Sequence, residues 1–395
     1  MRLREEKLLK QLHFWILTST VLISGLLQGM LLPVIAIIFE QQGLPSSING
    51  FHVTGMYIGV LLISPFIEKP LITYGYKKMA VTGIIIVLLS LLSFTFISSV
   101  WVWFVLRLLI GIGDHMLHFS TQTWLMASST KSNRGKRIAI YGIFFGLGFA
   151  LGPLFVNLMS FHTYAPFYLA ALLTCISLAS VFILHNQYPE RSEQGEGFIG
   201  SLKRMKEVMS FAWIALIPAL IYGFLEASLH GNFPVFALRE NISISNVAII
   251  LPAFALGGII TQLPIGELSD RFGRKKVLKI IFLLGSIVFF IGTIGGTSFV
   301  WMISIFLVSG MIVGSAFSLG MSYMADLLPA YLLPAGNLMC GIFYSLGSMI
   351  GPSIGGIYLE VVPSGSFFVL PSMMLATCFV IFTFHGRKKF QFNIE

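Results

Sequence analysis

A short series of ionisable residues interrupts one long apolar stretch of this sequence. Arg107, Asp114 and His118 lie in VWVWFVLRLLIGIGDHMLHFS. In a helix, which turns about 100° per residue, Asp114 and His118 lie ~20° to either side of Arg107. An arginine deep in such a helix is unfavourable in lipid and normally faces a wet cavity or an acidic partner. Because Arg107 and Asp114 are ~10 Å apart along the axis, a direct ion pair and a bridge through water or substrate are both open.

Glu226 and His230 form a second polar pair within the apolar run IPALIYGFLEASLHGNF. Their spacing of four residues puts them on one helix face. Carboxylates and imidazoles are side chains that proteins tune to exchange protons near neutral pH. We therefore interpret these residues as candidates for proton coupling, with an internal ion pair or a satisfied interhelical contact as the structural alternative. The full set is Arg107, Asp114, His118, Glu226 and His230.

Amide and aromatic side chains on neighbouring stretches could line a substrate cavity. The sequence contains 36 Phe and 17 Met, and a surface rich in both can repack around varied apolar ligands. Amides inside apolar helices either bind a ligand or hold helices together. The candidates for the cavity are Gln28, Gln122, Phe145, Phe149, Tyr222 and Asn337.

The amino-acid composition indicates which kind of secondary structure carries these residues. Of the 395 residues, 56% are hydrophobic and only 10% are charged, whereas soluble domains have roughly 25% charged residues. The apolar runs approach the ~20 residues of a spanning helix, so we expect an all-α protein crossing a lipid bilayer. The net charge of +9 comes from short loops, which excludes a nucleic-acid-binding face. No metal-ligand spacing is present, and we expect no cofactor.

Charged residues and Gly/Pro punctuation divide the chain into twelve predicted helices. A polar linker at 187–210 separates a bundle of six helices at 1–186 from a second bundle at 211–395. Of the 25 Lys and Arg residues, 23 fall in loops on one side, so both termini are expected in the cytoplasm. The predicted spans are 12–39, 46–67, 78–98, 100–128, 136–160, 164–186, 209–237, 244–266, 276–295, 298–326, 331–360 and 365–385.

The two halves repeat each other at offsets of 198 to 201 residues. Trp101 matches Trp301, and GFALGP at Gly148 matches GSMIGP at Gly347. A nearly constant offset between separate features predicts two pseudo-symmetric bundles that rock around a site at the membrane midplane. Glycines four apart in each half let helix backbones approach closely, and the prolines bend the helices. These packing residues are Gly148, Gly152, Pro153, Gly347, Gly351 and Pro352.

The polar loop at residues 266–278, GELSDRFGRKKVL, closely resembles the signature loop of the major facilitator superfamily, G-x-x-x-D-R-x-G-R-K/R. In that family the loop latches the two bundles together at the cytoplasmic face. The resemblance implies that Asp270 lies near the start of the fifth helix, at residues 134–137. In the first half, EKPLITYGYKKM has Ile72 where the acid belongs, which predicts a one-sided latch. The latch residues are Gly266, Asp270, Arg271, Gly273 and Arg274.

Two further features resemble the drug/proton antiporters of this superfamily. An arginine followed by glycines in the fourth helix, here Arg107 and Gly111-Ile112-Gly113, is implicated in proton coupling there. The glycine-proline motif of the fifth helix also resembles an antiporter motif, although Leu154 and Phe155 follow Pro153 here and the paired glycines lie in the eleventh helix. Gln122 likewise stands where many such antiporters have a glutamate.

These observations predict a monomeric, multi-pass transporter of the cell membrane that is not an enzyme. We expect alternating access, with protons coupled to the efflux of hydrophobic or drug-like compounds. One alternative is a proton-coupled importer of a small polar metabolite, which should have more polar cavity residues. Another is a non-transporting membrane receptor or sensor, which normally carries a larger soluble segment than the linker at 187–210.

Overall fold

The computed structural model describes residues 2–129, 133–189 and 198–384, and within these ranges it consists of helices joined by short turns and loops, with no β-strand. The first half contains seven α-helices and two 3₁₀ segments, Ser64–Phe66 and Gly152–Ser160. The α-helices are α1 Arg2–Gln41, α2 Ser46–Ile63, α3 Glu68–Tyr74, α4 Tyr76–Phe96, α5 Val100–Ala127, α6 Arg134–Leu151 and α7 Ala165–Phe182.

The second half contains eight α-helices and one 3₁₀ turn, Ala330–Leu332. The helices are α8 Phe198–Gly231, α9 Phe233–Arg239, α10 Ile244–Phe272, α11 Arg274–Gly292, α12 Phe299–Val313, α13 Ala316–Leu327, α14 Leu333–Val361 and α15 Val369–Phe384. Two compact units emerge from the packing. One comprises Met1–Leu44 and Phe51–Gln194, and the other comprises Pro45–Gly50 and Gly195–Glu395.

In the part of the chain that the structure describes, ten helical stretches are long and apolar enough to cross a membrane by length and composition. The two remaining predicted spans, the ninth and the twelfth, correspond to α11 and α15. α11 begins with the basic run RKKVLK, and α15 is a shorter apolar helix of 16 residues. The predicted fold class is confirmed: an all-α membrane protein whose twelve-helix, two-bundle layout fits the helices observed.

Two predicted spans are interrupted rather than continuous. The seventh, 209–237, breaks at Asn232 between α8 and α9, where Pro234 occupies the first turn of α9 and lacks a backbone donor. The tenth, 298–326, breaks at Gly314 between α12 and α13. Residues 198–210, the last part of the predicted linker, are helical: they form the first turns of α8, which is kinked directly afterwards at Ala212 (φ −132°, ψ 17°). Their sequence, FIGSLKRMKEVMS, is rich in Leu, Lys, Arg, Met and Glu, which favour helices.

Glycines bring two helix pairs into backbone contact, one pair in each unit. A Cβ atom at Gly148 of α6 would collide with the carbonyl oxygen of Leu22 in α1. In the same way, a Cβ atom at Gly347 of α14 would collide with the carbonyl oxygen of Leu220 in α8. Gly152 and Gly351 make the next contacts along the same two helix pairs. We call these two contacts the glycine seams.

The two prolines that follow the seams have different effects. At Gly152, directly before Pro153, the chain leaves the α-helical form and continues as a 3₁₀ helix to Ser160. Pro352 instead lies inside the continuous helix α14. A proline within a helix removes one backbone hydrogen bond and bends the axis without always ending it. The repeated sequence motif therefore has two different local structures.

Candidate functional site

In the first unit, Asp114 is the centre of a buried polar cluster. Its side chain lies on α5 and is 7% exposed. Ser24 of α1 donates a hydrogen bond to Oδ1, and Nε2 of Gln28, one turn further along α1, donates to Oδ2 at 2.6 Å. Neutral donors from a neighbouring helix thus contact both oxygens of the carboxylate. Such donors stabilise the charged carboxylate without forming an ion pair.

His118 extends this cluster toward α6. Its Nε2 lies 2.9 Å from Oγ of Ser24 and 3.7 Å from Oδ2 of Asp114. Because the Ser24 hydroxyl donates to Asp114, the hydrogen-bond geometry assigns a proton to Nε2. Nδ1 lies 3.3 Å from the hydroxyl of Tyr141, which is itself 2.8 Å from Oγ1 of Thr121. A continuous line of exchangeable protons therefore runs from Asp114 through Ser24 and His118 to Tyr141.

Arg107 does not form an ion pair with Asp114 in the described structure. The guanidinium is 3% exposed, and its Nη2 donates to the carbonyl oxygen of Leu31 at 3.4 Å. Its Nη1 is buried without a hydrogen-bond partner among the described residues. Of the interpretations open at the sequence level, direct pairing with Asp114 is therefore not observed. The role of Arg107 in proton coupling stays a prediction.

In the second unit, Glu226 of α8 is held by tyrosines. The hydroxyl of Tyr344 on α14 donates to Oε2, and the hydroxyl of Tyr222, one turn earlier on α8, donates to Oε1 at 3.4 Å. Phe317 of α13 completes a group of three rings, with centroids 5.7 Å from Tyr344 and 6.1 Å from Tyr222. His230 contacts the backbone rather than the carboxylate, since its Nδ1 lies 2.9 Å from the carbonyl oxygen of Glu226.

The predicted cavity residues have different environments. Phe145 packs its ring edge against His118 with centroids 5.0 Å apart, and Phe149 lies next to Phe145 at 6.3 Å. Gln122 and Asn337 are exposed, and neither amide has a hydrogen-bond partner among the described residues. Gln28 and Tyr222 therefore belong to the carboxylate clusters, whereas Gln122 and Asn337 do not.

The loop between α10 and α11 has a defined set of contacts. Gly273 adopts φ 88°, a left-handed conformation that glycine reaches without strain. Arg274 donates through Nη1 to Oδ1 of Asp326 at 2.7 Å and also to the carbonyl oxygen of Ser322. Asp270 is 70% exposed and lies 3.4 Å from Nη2 of Arg274. The side chains at 134–136 lie outside the described residues, so the predicted partner of Asp270 stays a prediction.

The equivalent turn in the first half also uses a left-handed glycine, Gly75 with φ 84°. Here the polar contacts come from the segment after α7. The backbone carbonyl of Gln187 accepts from the Tyr76 N–H at 2.9 Å, and Oδ1 of Asn186 accepts from the Lys77 N–H at 3.0 Å. Two neutral residues thus bind the turn in the half that lacks the acidic residue of the loop.

Several of these contact residues were missed by sequence reasoning. Ser24 had a usable signal, because it lies four residues before Gln28 on the same face of the first helix. Asp326 is the acidic residue of the predicted tenth span, 298–326, but the sequence does not reveal its pairing with Arg274, because that pairing depends on tertiary structure. Tyr141 and Tyr344 carry no sequence signal that separates them from the other tyrosines. Across the described residues, no group of three or more His, Cys, Asp or Glu side chains could hold a metal ion.

Comparisons with known proteins address the family as a whole. A sequence model of the Major Facilitator Superfamily matches residues 17–243 and 208–391. The uncharacterized MFS-type transporter YfkF of Bacillus subtilis (strain 168) is 52% identical over 369 residues, covering 93% of this chain and 94% of that protein. The uncharacterized MFS-type transporter YcaD of Escherichia fergusonii is 24% identical over 365 residues, covering 90% and 91%.

Solved structures of similar fold include two transporters. The crystal structure of the nucleoside transporter NupG matches with a TM-score of 0.76 at 14% identity, covering 95% of this chain and 97% of that chain. A bacterial homolog of the human lysosomal transporter Spinster, in an inward-facing and unoccupied conformation, matches with a TM-score of 0.70 at 13% identity, covering 95% and 94%. At these identities the likeness concerns the fold alone.

Proposed function

Because the chain belongs to the major facilitator superfamily, as its loop motif predicted, we propose that it is a proton-coupled exporter of hydrophobic or drug-like compounds. The family is one of multi-pass membrane transporters, and its members' mode of action is consistent with alternating access. We place this protein in the cell membrane, with both termini in the cytoplasm, as a monomer. The arginines and lysines of the predicted inner loops support that orientation.

The main support for proton coupling is that each unit holds one embedded carboxylate among neutral donors. Asp114 accepts from Ser24 and Gln28, and Glu226 accepts from Tyr222 and Tyr344. A carboxylate held in this way can gain or lose a proton without first breaking an ion pair with lysine or arginine. Embedded carboxylates of this kind are common components of proton pathways in transporters.

The surroundings of Glu226 support an apolar or aromatic cargo. Tyr222, Phe317 and Tyr344 present three rings beside the carboxylate, and all three side chains are only partly buried. Aromatic faces bind flat apolar groups and also attract cations. A cargo that binds here would compete with the tyrosine hydroxyls for the carboxylate, which gives a physical basis for exchange between proton and cargo.

One observation favours a second candidate, the proton-coupled importer of a small polar metabolite. The line of hydrogen-bonding groups from Gln28 to Tyr141 offers donors and acceptors that a polar solute could bind. The nucleoside transporter NupG, whose fold is similar, is an example of a transporter with a polar cargo. Because the identity is 14%, this likeness carries no cargo assignment for the present chain.

Transport into everted membrane vesicles tests the proposal, with ethidium as the fluorescent probe. We expect accumulation that requires a proton gradient and stops when a protonophore is added. Asp114→Asn and Glu226→Gln should each reduce the initial rate by more than about tenfold. Glu240→Gln is the matched control, because Glu240 is an exposed carboxylate in the loop after α9, and it should transport normally.

Two results would contradict this function. Accumulation that is independent of the proton gradient removes the coupling, as does full activity of the double variant. If ethidium is not transported, a thermal-shift screen decides the cargo class, because a ligand stabilises the native state by an amount that grows with its concentration relative to its Kd. Stabilisation only by sugars, nucleosides or organic acids favours the importer, and a ligand that binds without any transport favours the receptor.

A further inference from the structure

A small cavity of the first unit lies next to Asp114. It has a volume of about 10 Å³ available to the centre of a water molecule, which is room for roughly one water. Its polar lining comes from α1, α5 and α7, and its apolar lining includes Ile84 and Val87 of α4. The polar residues are Thr20, Ser24, Asp114, Thr174 and Ser177.

Two hydroxyl groups in this lining have no hydrogen-bond partner within the described protein. They belong to Thr20, which is 1% exposed, and Ser177, which is 3% exposed. Buried polar groups are nearly always satisfied, and leaving a hydroxyl unpaired is unfavourable. The two come from different helices, α1 and α7, and both line the same cavity, so a single guest can satisfy both.

The other two hydroxyl groups of the lining already donate their protons to hydrogen-bond acceptors within the protein. The Ser24 hydroxyl donates to Asp114, and the Thr174 hydroxyl donates to the carbonyl oxygen of Ala170 at 2.7 Å. These groups and the carboxylate therefore offer lone pairs to the cavity. The guest must accept protons from Thr20 and Ser177 and must donate protons to oxygen acceptors.

We propose that this cavity binds one water molecule, which accepts from Thr20 and Ser177 and donates to Asp114 and a neighbouring hydroxyl oxygen. Water has two protons and two lone pairs, and this arrangement uses all four. A sodium ion would suit the oxygen-rich lining, but it would leave the protons of Thr20 and Ser177 without an acceptor. Water matches the hydrogen-bond donors and acceptors of the cavity, and sodium does not, so we assign the cavity to water.

The water makes Thr20 and Ser177 positioning residues for Asp114, a role that rests on the proposed proton coupling. The water contributes a donor to the carboxylate besides Ser24 and Gln28, and it stabilises the charged form. In the described structure the titratable groups that face Asp114 are His118 of α5 and Tyr141 of α6. At the cavity, α1 and α7 contribute uncharged hydroxyls and α4 contributes only apolar side chains.

Radiolytic labelling of the purified protein tests the water site directly. Irradiated water forms hydroxyl radicals, which oxidise side chains next to a bound water even when those side chains are buried. We expect labelling of Ile84 and Leu117, which line the cavity and are 1% and 5% exposed. Leu91 and Leu125 are the controls, since they lie on the same two helices, are 0% exposed and do not line the cavity. Equal labelling of both pairs would overturn the proposal.

Substitutions then connect the water to its two hydroxyl ligands. The Thr20→Val/Ser177→Ala double variant should lower the labelling of Ile84 and Leu117 to the level of the controls. Thr18→Val is the matched variant, because the Thr18 hydroxyl is equally buried but donates to the carbonyl oxygen of Phe14. It should keep the wild-type labelling. Should the double variant not fold, the comparison within the wild-type protein still decides whether water is bound.

Two further measurements separate the alternatives. Thermal unfolding in NaCl and in choline chloride tests for sodium: sodium-dependent stabilisation that Asp114→Asn abolishes would replace water by a cation and overturn the proposal. Infrared titration follows the carboxyl band that Asp114→Asn removes. Its pH midpoint should shift by about half to one unit in the double variant and not in Thr18→Val. An unchanged midpoint would contradict the positioning role.

None of these measurements requires a transported substrate. Failure of ethidium transport would therefore leave the water site standing, whereas absent labelling of Ile84 and Leu117 would remove the water site and leave the proposed function to its own test.

Discussion

Nη1 of Arg274 lies 2.7 Å from Oδ1 of Asp326, so the first residue of α11 is paired with an acid near the end of α13. Within the signature loop, Arg274 lies closer to Asp326 than to Asp270, the acid of the loop itself, from which it is separated by 3.4 Å. Arg274 also donates to the backbone of α13 at Ser322. The loop therefore connects two helices of the second unit in addition to any role between the bundles.

The Arg274–Asp326 pair should stabilise the second unit modestly. The two side chains are 25% and 53% exposed, and ion pairs at such sites contribute about 0.2 to 1 kcal/mol. A double-mutant cycle with Arg274→Gln and Asp326→Asn, measured by reversible unfolding in mixed micelles, should give a coupling energy in that range. The control cycle uses Asp270→Asn, whose weaker and more exposed contact should couple with Arg274 near zero. Stronger coupling for Asp270 than for Asp326 would contradict the observed geometry.

Enlarging a glycine of either seam should destabilise the protein. Gly148→Ala and Gly347→Ala each place a methyl group against a backbone carbonyl that cannot move without displacing its helix, at a cost of about 1 to 3 kcal/mol. Gly146→Ala and Gly341→Ala are matched controls on the same two helices, because a Cβ atom at either site has open space within 4 Å. The controls should be neutral or slightly stabilising. Thermal unfolding of the four variants checks this, and equal losses in all four would exclude specific backbone contact.

Removing the Tyr344 hydroxyl should change the pH dependence of transport more than removing the Tyr222 hydroxyl. Tyr344 makes the shorter hydrogen bond to Glu226, whereas Tyr222 donates at 3.4 Å, where a hydrogen bond is weak. Tyr344→Phe removes a donor that favours the charged carboxylate, so the pH profile should shift to more alkaline values by about one unit. Tyr222→Phe should shift it by less. Vesicle assays across a pH series measure both, and an equal shift in the two variants would argue against this ranking.

Arg107→Met should separate stability from activity. The guanidinium is buried with a single long hydrogen bond to Leu31, and replacing a buried charge by an apolar side chain of similar size is often neutral or stabilising. We therefore expect an unchanged or higher unfolding temperature together with a transport rate reduced by about tenfold or more. A variant that unfolds early but transports normally per folded molecule would assign Arg107 a structural role only.

The sequence predicted the twelve helices and the duplication because these depend on local composition and on spacing along one chain. It also placed Asp114 and His118 on one face of α5, since that relationship lies within a single helix. It could not find Tyr344 as the partner of Glu226, because these residues are 118 positions apart in the sequence and only the packing of α14 on α8 brings them together. Asp326 was missed for the same reason.

The sequence also could not predict whether an individual amide side chain within a helix is buried or exposed. Gln28 and Gln122 have the same side chain in similar apolar surroundings, yet Gln28 binds Asp114 and Gln122 is exposed without a partner among the described residues. Helix rotation decides between these outcomes, and an apolar run without polar periodicity does not specify the rotation. The helical breaks at Asn232 and Gly314 were missed because glycine and asparagine also occur within unbroken helices.

The glycine seams restrict how each bundle can deform. We expect two helices whose backbones touch at successive turns to roll against each other more easily than they slide, because axial movement would bring other side chains against the facing backbone carbonyl groups. Leu22 lies two residues before Ser24 on α1, and Leu220 lies two residues before Tyr222 on α8. Ser24 and Gln28 of α1 contact an acid on α5, and Tyr344 of α14 contacts an acid on α8. A rotation of α1 or α14 by a few degrees would therefore turn these donors toward or away from Asp114 or Glu226 without changing their height in the membrane.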